Sequence, residues 1–354
     1  MSTKTLLALS VLALAPASLA QRLIVGDTSR NLYQLDIAAQ EQNLVGQVSS
    51  NLGTIGALAF DRATGRLYAT STNNDSLYLI DQTNWQAKLV GAFGDAAIVM
   101  HGMEWDPSTG TLYGYSSHNN GSVYTIDTAT GAASLVGVTG LAGFGNLAYD
   151  PITDTMLMSN SSTDSLYVLD RATAAPTLIG PLNGPTQPHE LTFDTDTQTL
   201  YLVCSLTDTV YTVDRMTGAA TPVLPLTSLQ YLSMVYLPGS GQLVRQPHGC
   251  GPTTVFVSGN PNLGGSVELT VENLTGFGFV GFGVTPVGVP FCGCTIGHEW
   301  AVASLGPTVS LALPANPALV GVAVYAQGMD FLGTGGCADP MLTLTDTIEI
   351  QIGS

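Results

Sequence analysis

A pattern that returns every 43 to 46 residues constrains this chain more than any other feature. The segments LYQLD, LYLID, VYTID, LYVLD and VYTVD end at Asp36, Asp81, Asp127, Asp170 and Asp214. A second series keeps step with the first: ALAFDRATGRLY, GMEWDPSTGTLY, NLAYDPITDTML, ELTFDTDTQTLY and SMVYLPGSGQLV, with aromatics at Phe60, Trp105, Tyr149, Phe193 and Tyr236. Within each period, runs that alternate apolar and polar residues are separated by Gly, Pro, Asn and Asp. Such alternation marks strands buried on one face. A unit of this length holding four short strands is a propeller blade. The expected fold class is all-β, a β-propeller over residues 21–245.

Residues 22–50 supply the second to fourth strands of a blade and lack a first one. Residues 231–237 supply a first strand with little after it. Joining the two ends in one blade closes a five-bladed ring. RLIV (22–25) and QLVR (242–245) both read as second strands, and a six-bladed ring stays open if both count.

The aspartates at Asp61, Asp106, Asp150 and Asp194 could be read as reactive groups, since DRATG resembles the surroundings of a phosphoryl-accepting carboxylate. Their recurrence argues otherwise. Each ends an alternating run and is followed by Pro, Thr, Ser or Gly and then by another such run. An Asp there accepts hydrogen bonds from backbone N–H groups two or three residues on, and Gly65 or Gly110 takes the positive φ. The Asp of IDTATG, LDRATA and VDRMTG is read in the same way. These carboxylates are turn formers.

Three of the units, ATSTNNDSLYLIDQTNWQAKLVG, SSHNNGSVYTIDTATGAASLVG and SNSSTDSLYVLDRATAAPTLIG, resemble the YVTN-type repeats of secreted and surface-layer bacterial β-propellers, although the naming tetrapeptide is absent. The resemblance spans residues 22 to about 245 and implies a fold, since propellers host unrelated activities. The later stretch LALPANPALVGVAVYAQG resembles a C-terminal domain appended to many secreted bacterial proteins. That likeness implies an accessory module for surface association or sorting.

Residues 246–354 leave the repeat. They are rich in Gly and Pro, with alternating runs such as SVELTVENL, and suggest a small β-sandwich. Four of the five cysteines lie here, Cys250, Cys292, Cys294 and Cys337. Cys292 and Cys294 are too close to bridge each other without strain. Placed on one face of one strand, they are expected to reach Cys250 and Cys337, in either combination. A zinc site fits this spacing poorly. Cys204 is expected to be a buried, unpaired thiol. GFGFVGFG satisfies G-x-G-x-x-G, but Pro286 and Pro290 follow where a nucleotide fold needs a helix. The glycines are read instead as one face of a strand lying against something close.

Residues 1–20 read as an export signal: Lys4, the apolar stretch LLALSVLALA, and SLA before Gln21. That stretch is short of the roughly 20 apolar residues that span a bilayer, and no other segment is apolar enough. The expected location is extracellular or at the cell surface. A net charge of −17 repels nucleic acid and anionic lipid. The expected partner is an extracellular ligand, a glycan or a protein, with no cofactor and no metal.

The candidate site is the mouth of the central channel. The residues opening the inner strands are Gly56, His101, Gly145, His189 and Leu232, followed by Ala57, Gly102, Asn146, Glu190 and Ser233. His101, Asn146, His189 and Glu190 are the polar groups that would converge there; the bland alternative is that they satisfy backbone groups or channel water. A glycosidase needs two carboxylates about 5–10 Å apart, and this level offers only Glu190, with Glu104 further along its strand. A lyase using His101 or His189 as base is the remaining enzymatic reading. His118 is expected in a solvated turn, and His248 and His298 at the surface. No EF-hand-like calcium loop and no nucleophile elbow is present. The leading reading is a non-enzymatic binding protein; the alternative is a hydrolase or lyase at the channel mouth.

Overall fold

The computed structural model describes residues 22–188, 190–227, 230–338 and 341–354. The predicted export segment 1–20 and His189 lie outside the described residues. Five four-stranded antiparallel sheets follow one another along the chain to Tyr236. In four of them the strands run in sequence order from the axis outwards. The second blade, for example, is built from Ile55–Asp61, Arg66–Ser71, Ser76–Ile80 and Ala87–Ala92. The first blade takes its inner strand, Tyr231–Tyr236, from the far end of the ring. That strand pairs antiparallel with Leu23–Asp27, placing Tyr236 opposite Leu23 and Met234 opposite Val25. The ring is therefore closed with five blades. The six-bladed alternative falls because Gln242–Gln246 pairs with the C-terminal strand Met341–Gln351 and not with a blade.

The seams between blades bury the alternating apolar residues. Ile24 and Leu32 of the first blade meet Leu67 and Ile80 of the second. Ala59 and Leu77 of the second meet Met103 and Leu112 of the third. The glycine of each LVG or LIG run is what lets the blades approach. Gly46, Gly91, Gly137 and Gly180 sit at a register shift in the outer strand. A Cβ on Gly91 would lie 1.9 Å from the Thr130 carbonyl oxygen in the next blade's turn, and one on Gly180 2.2 Å from that of Thr217.

The repeated aspartates hold the corners, as expected. The Asp61 carboxylate accepts from the Ala63 N–H at 2.9 Å and the Thr64 N–H at 3.3 Å, and Asp194 accepts from Asp196 and Thr197. The second set does likewise, with Asp127 accepting from Ala129 and Thr130. Two corners are also stapled across a seam, by Arg171 to Asp106 at 2.6 Å and by Arg215 to Asp150.

The remaining residues form a sandwich. One sheet runs in the order Gln242–Gln246, Met341–Gln351, Ala323–Phe331, Phe277–Gly283 and Val302–Leu305. The other contains Thr254–Gly259, Ser266–Glu272 and Thr308–Ala312. Val257 and Leu269 from one sheet meet Val280, Ala326 and Ile348 from the other in a common core. Disulfides join Cys250 to Cys294 and Cys292 to Cys337. The expectation that Cys292 and Cys294 share one strand is corrected: Cys292 and Gly293 both have positive φ, 51° and 82°, and form the two-residue turn between Pro286–Phe291 and Cys294–His298. The turn points the two thiols to different partners.

Candidate functional site at the channel mouth

The five inner strands stand side by side around the axis, each in contact with the next. In three of them the ladder with the second strand is broken at the same level. The shift falls at Leu232 in the first blade, at Gly56–Ala57 in the second and at His101 in the third. A bulge re-aims the extra residue, and here all three bulged positions line one small cavity. Its walls are Ile55, Gly56, Thr72, His101, Phe144 and Leu232, and its volume is about 180 Å³. The His101 ring stands edge-on to Phe144 with centroids 4.4 Å apart. The fourth blade has no shift at this level, since Gly145 faces Asn160 in regular register; in the fifth, the described ladder begins one residue deeper, with Glu190 facing Val203. The four described opening positions are therefore not physically equivalent, and Gly145 lies against the Tyr115 ring instead of the cavity.

Asn146 and Glu190 lie deeper. Both are fully buried and neither lines the mouth. The Asn146 amide donates to the Pro188 carbonyl at 3.2 Å and to Ser159 Oγ at 3.4 Å. Glu190 Oε1 accepts from the Leu191 N–H at 3.2 Å. Asn146 Oδ1, Glu190 Oε2 and Ser233 Oγ, on three successive inner strands, have no hydrogen-bond partner among the described residues. Buried oxygens so placed suit ordered water. Burial pushes the Glu190 carboxyl well above the ordinary carboxylate range, and nearby Glu104 pushes it the same way.

Glu104 stands lower still, on the inner strand of the third blade. Burial raises its pKa to about 8 against the opposing pull of Arg62 and of backbone N–H groups. Arg62 follows the inner strand of the second blade and donates to the Phe193 carbonyl of the fifth at 3.1 Å. These blades are not neighbours, so the guanidinium crosses beneath the axis and caps the channel. From mouth to base the column reads His101, then Asn146 and Glu190, then Glu104, then Arg62. Arg62 escaped the sequence reading because it sits in a turn motif, where an arginine looks like a solvated one.

The other expectations resolve as follows. Cys204 is buried and unpaired, its thiol 3.1 Å from the Thr186 carbonyl oxygen. His248 is partly buried and shares a hydrogen bond with Thr347 at 3.0 Å. His298 is not at the surface: it is fully buried, because Cys294–His298 folds back over the sandwich under disulfide restraint. GFGFVGFG is a strand, but the expectation of a single glycine face is corrected: in regular register Gly278 falls on the core side with Val280, and Gly281 and Gly283 on the opposite side with Phe277 and Phe279. A Cβ on Gly281 would meet the Trp300 indole at 2.4 Å.

No family model and no curated protein matches the chain. Among solved structures it is similar to a chain of a nidogen/laminin complex, at 14% identity and a TM-score of 0.45, covering 61% of this chain and 98% of that one. It is similar to a calcium-binding protein, regucalcin, from Agrobacterium tumefaciens, at 14% identity and a TM-score of 0.41, covering 71% and 82%. It is also similar to virginiamycin B lyase from Staphylococcus aureus, at 10% identity and a TM-score of 0.39, covering 71% and 82%. Likenesses this distant bring no activity with them. The molecule's own sheets carry the conclusion: a five-bladed β-propeller joined to a disulfide-tied β-sandwich.

Proposed function

We propose that this chain is an exported binding protein of the YVTN-like propeller type, which holds an extracellular glycan or protein at the channel mouth without transforming it. The supporting observation is the vertical separation of the polar groups. His101 is at the mouth, while Glu190 and Glu104 lie below it, buried, with burial pushing both carboxyls upward, that of Glu104 to about 8. Glycosidic hydrolysis needs an ionised carboxylate beside a protonated one, both reaching the substrate. The mouth supplies neither. At about 180 Å³ it is also smaller than the roughly 300–1,000 Å³ of sites that enclose a small molecule. It suits one protruding group, such as a terminal sugar ring or a side chain, gripped by His101 and Phe144.

Probing residues 21–354 against a glycan array and immobilised extracellular proteins is expected to give saturable binding. Phe144→Ala and His101→Ala should weaken it at least tenfold while the fold survives by circular dichroism. Hydrolase and lyase screens should show no turnover. Robust turnover abolished by His189→Ala or Glu190→Gln would establish the enzymatic alternative instead.

A further inference from the structure

Residues 246–354 contain no lysine and no arginine, so each carboxylate of the sandwich must find its partner elsewhere. Glu268 and Glu272 pair with Arg66 and Lys88 of the second blade, and Asp346 faces Arg245 at 3.4 Å. Asp330 accepts from the Thr275 and Gly276 N–H groups, and Glu349 from the side-chain amides of Gln246 and Gln351. Glu299 differs. It is exposed, and its carboxylate makes no ion pair and no hydrogen bond among the described residues. A solvated carboxylate is ordinary; the position of this one is not.

Glu299 bounds a cavity of about 480 Å³, within the size range of small-molecule sites. One side is the hairpin of Pro286–Phe291 and Cys294–His298, which supplies Val287, Phe291 and Ile296 and is tied down by both disulfides. The other side is the larger sheet, with Met329 and Leu344 paired across adjacent strands. Trp300 completes the wall. A Cβ built on Gly281 would lie 2.4, 2.5 and 2.7 Å from three carbons of its indole, Cδ2, Cε3 and Cε2. The ring therefore lies flat on the strand and turns its other face away from it. The accessible surface of the cavity is wholly apolar.

Such a surface selects by exclusion. A hydroxyl, an amide or a primary ammonium would give up hydrogen bonds to water and find none in return. A carboxylate or phosphate would meet no cation in the sandwich and an unpaired Glu299 beside the cavity. A quaternary ammonium escapes both objections: it carries charge with no N–H to satisfy, and its methyl groups pack against apolar walls. Aromatic rings attract it, here those of Trp300 and Phe291, and Glu299 adds a charge of the right sign. His298, the other ionisable group in the wall, does not oppose it, because burial disfavours the imidazolium.

We infer that the sandwich cavity binds a quaternary ammonium group carried on an apolar body, the cation held against the Trp300 and Phe291 rings near Glu299. No buried polar atom takes part. The site is separate from the propeller mouth and independent of the function proposed for it.

Calorimetric titration of residues 21–354 with phenyltrimethylammonium, its uncharged isostere tert-butylbenzene and the anion benzenesulfonate tests this. An apolar cavity with no electrostatic preference would favour tert-butylbenzene, because the cation is the better hydrated of the two. The reverse order is expected, with phenyltrimethylammonium about tenfold tighter than tert-butylbenzene and benzenesulfonate without measurable binding. Glu299→Gln, a change at an exposed side chain, should weaken the cation about threefold and leave tert-butylbenzene unaffected. Equal or tighter binding of tert-butylbenzene, benzenesulfonate binding as tight as the cation's, no binding of the cation, or a cation affinity indifferent to Glu299→Gln would each overturn the inference.

Discussion

At the scale of single residues, the repeated aspartates and the two inner glutamates show how environment decides what a carboxyl does. Backbone N–H groups of Ala129 and Thr130 hold Asp127 below its usual range, and those of Met216 act likewise on Asp214. Glu104 shifts the other way, from 4.5 to about 8, because burial dominates. The folded state therefore keeps a proton that the unfolded chain releases above about pH 4.5. Stability from this group is fully present below that value and is lost as pH rises through about 8. Glu104→Gln removes the ionisation while keeping an acceptor for the Trp105 N–H, which Glu104 Oε1 receives at 3.1 Å. The variant is expected to melt several degrees above the wild type near pH 9 and within a degree or two of it near pH 4. Thermal melts across that range check it; a difference that does not change with pH would show that Glu104 is not held protonated.

At the scale of strands and turns, the pattern of apolar residues and turn formers was enough to read the blades, because each unit repeats the same alternation and the same Asp-based corner. The closure of the ring could be read too, from a missing first strand at one end and a spare one at the other. What stayed hidden depends on single-residue shifts. Nothing in the residue types of IGALAF and HGMEW marks Gly56 and His101 as bulged while GNLAYD stays regular. As a result the mouth could be located but not its lining. The burial of His298 was hidden for another reason: it follows from a hairpin folded back by disulfides whose pairing spacing alone leaves open. The bulge glycines of the outer strands lead to a direct prediction. Adding a methyl group at Gly91 puts it 1.9 Å from the Thr130 carbonyl oxygen, and a backbone oxygen cannot swing aside. Gly91→Ala should destabilise by about 1–3 kcal/mol, the usual cost of forcing volume into a filled seam. Gly288→Ala, where no atom lies within 4 Å, should change stability by less than about 0.5 kcal/mol. Chemical denaturation of the two variants separates them.

At the scale of the whole molecule, the sandwich is bound to the second blade, at the base of the propeller and away from the mouth. Two kinds of contact join them, and they differ in worth. Arg66–Glu268 and Lys88–Glu272 are ion pairs between partly exposed side chains, and such pairs contribute about 0–1 kcal/mol. Arg245 is another matter. Its guanidinium donates to Asp81 at 2.9 Å, to the Val255 carbonyl at 2.8 Å and to Thr83 at 3.0 Å. Asp81 is fully buried and also accepts from the Val257 N–H at 2.9 Å, so one carboxylate holds two segments of the sandwich against the blade. Burial raises the Asp81 pKa, and Arg245 together with the hydrogen bonds from Thr83 and Val257 opposes that rise. Arg245→Met would strand that charge, and breaking a buried pair on one side costs about 3–5 kcal/mol. Because the loss falls at the junction, the sandwich and the propeller should also unfold less cooperatively. Scanning calorimetry is expected to show a lowered and split transition for Arg245→Met and an essentially unchanged one for Arg66→Ala. A single, unshifted transition for Arg245→Met would mean that the apolar contacts between blade and sandwich suffice to hold them together.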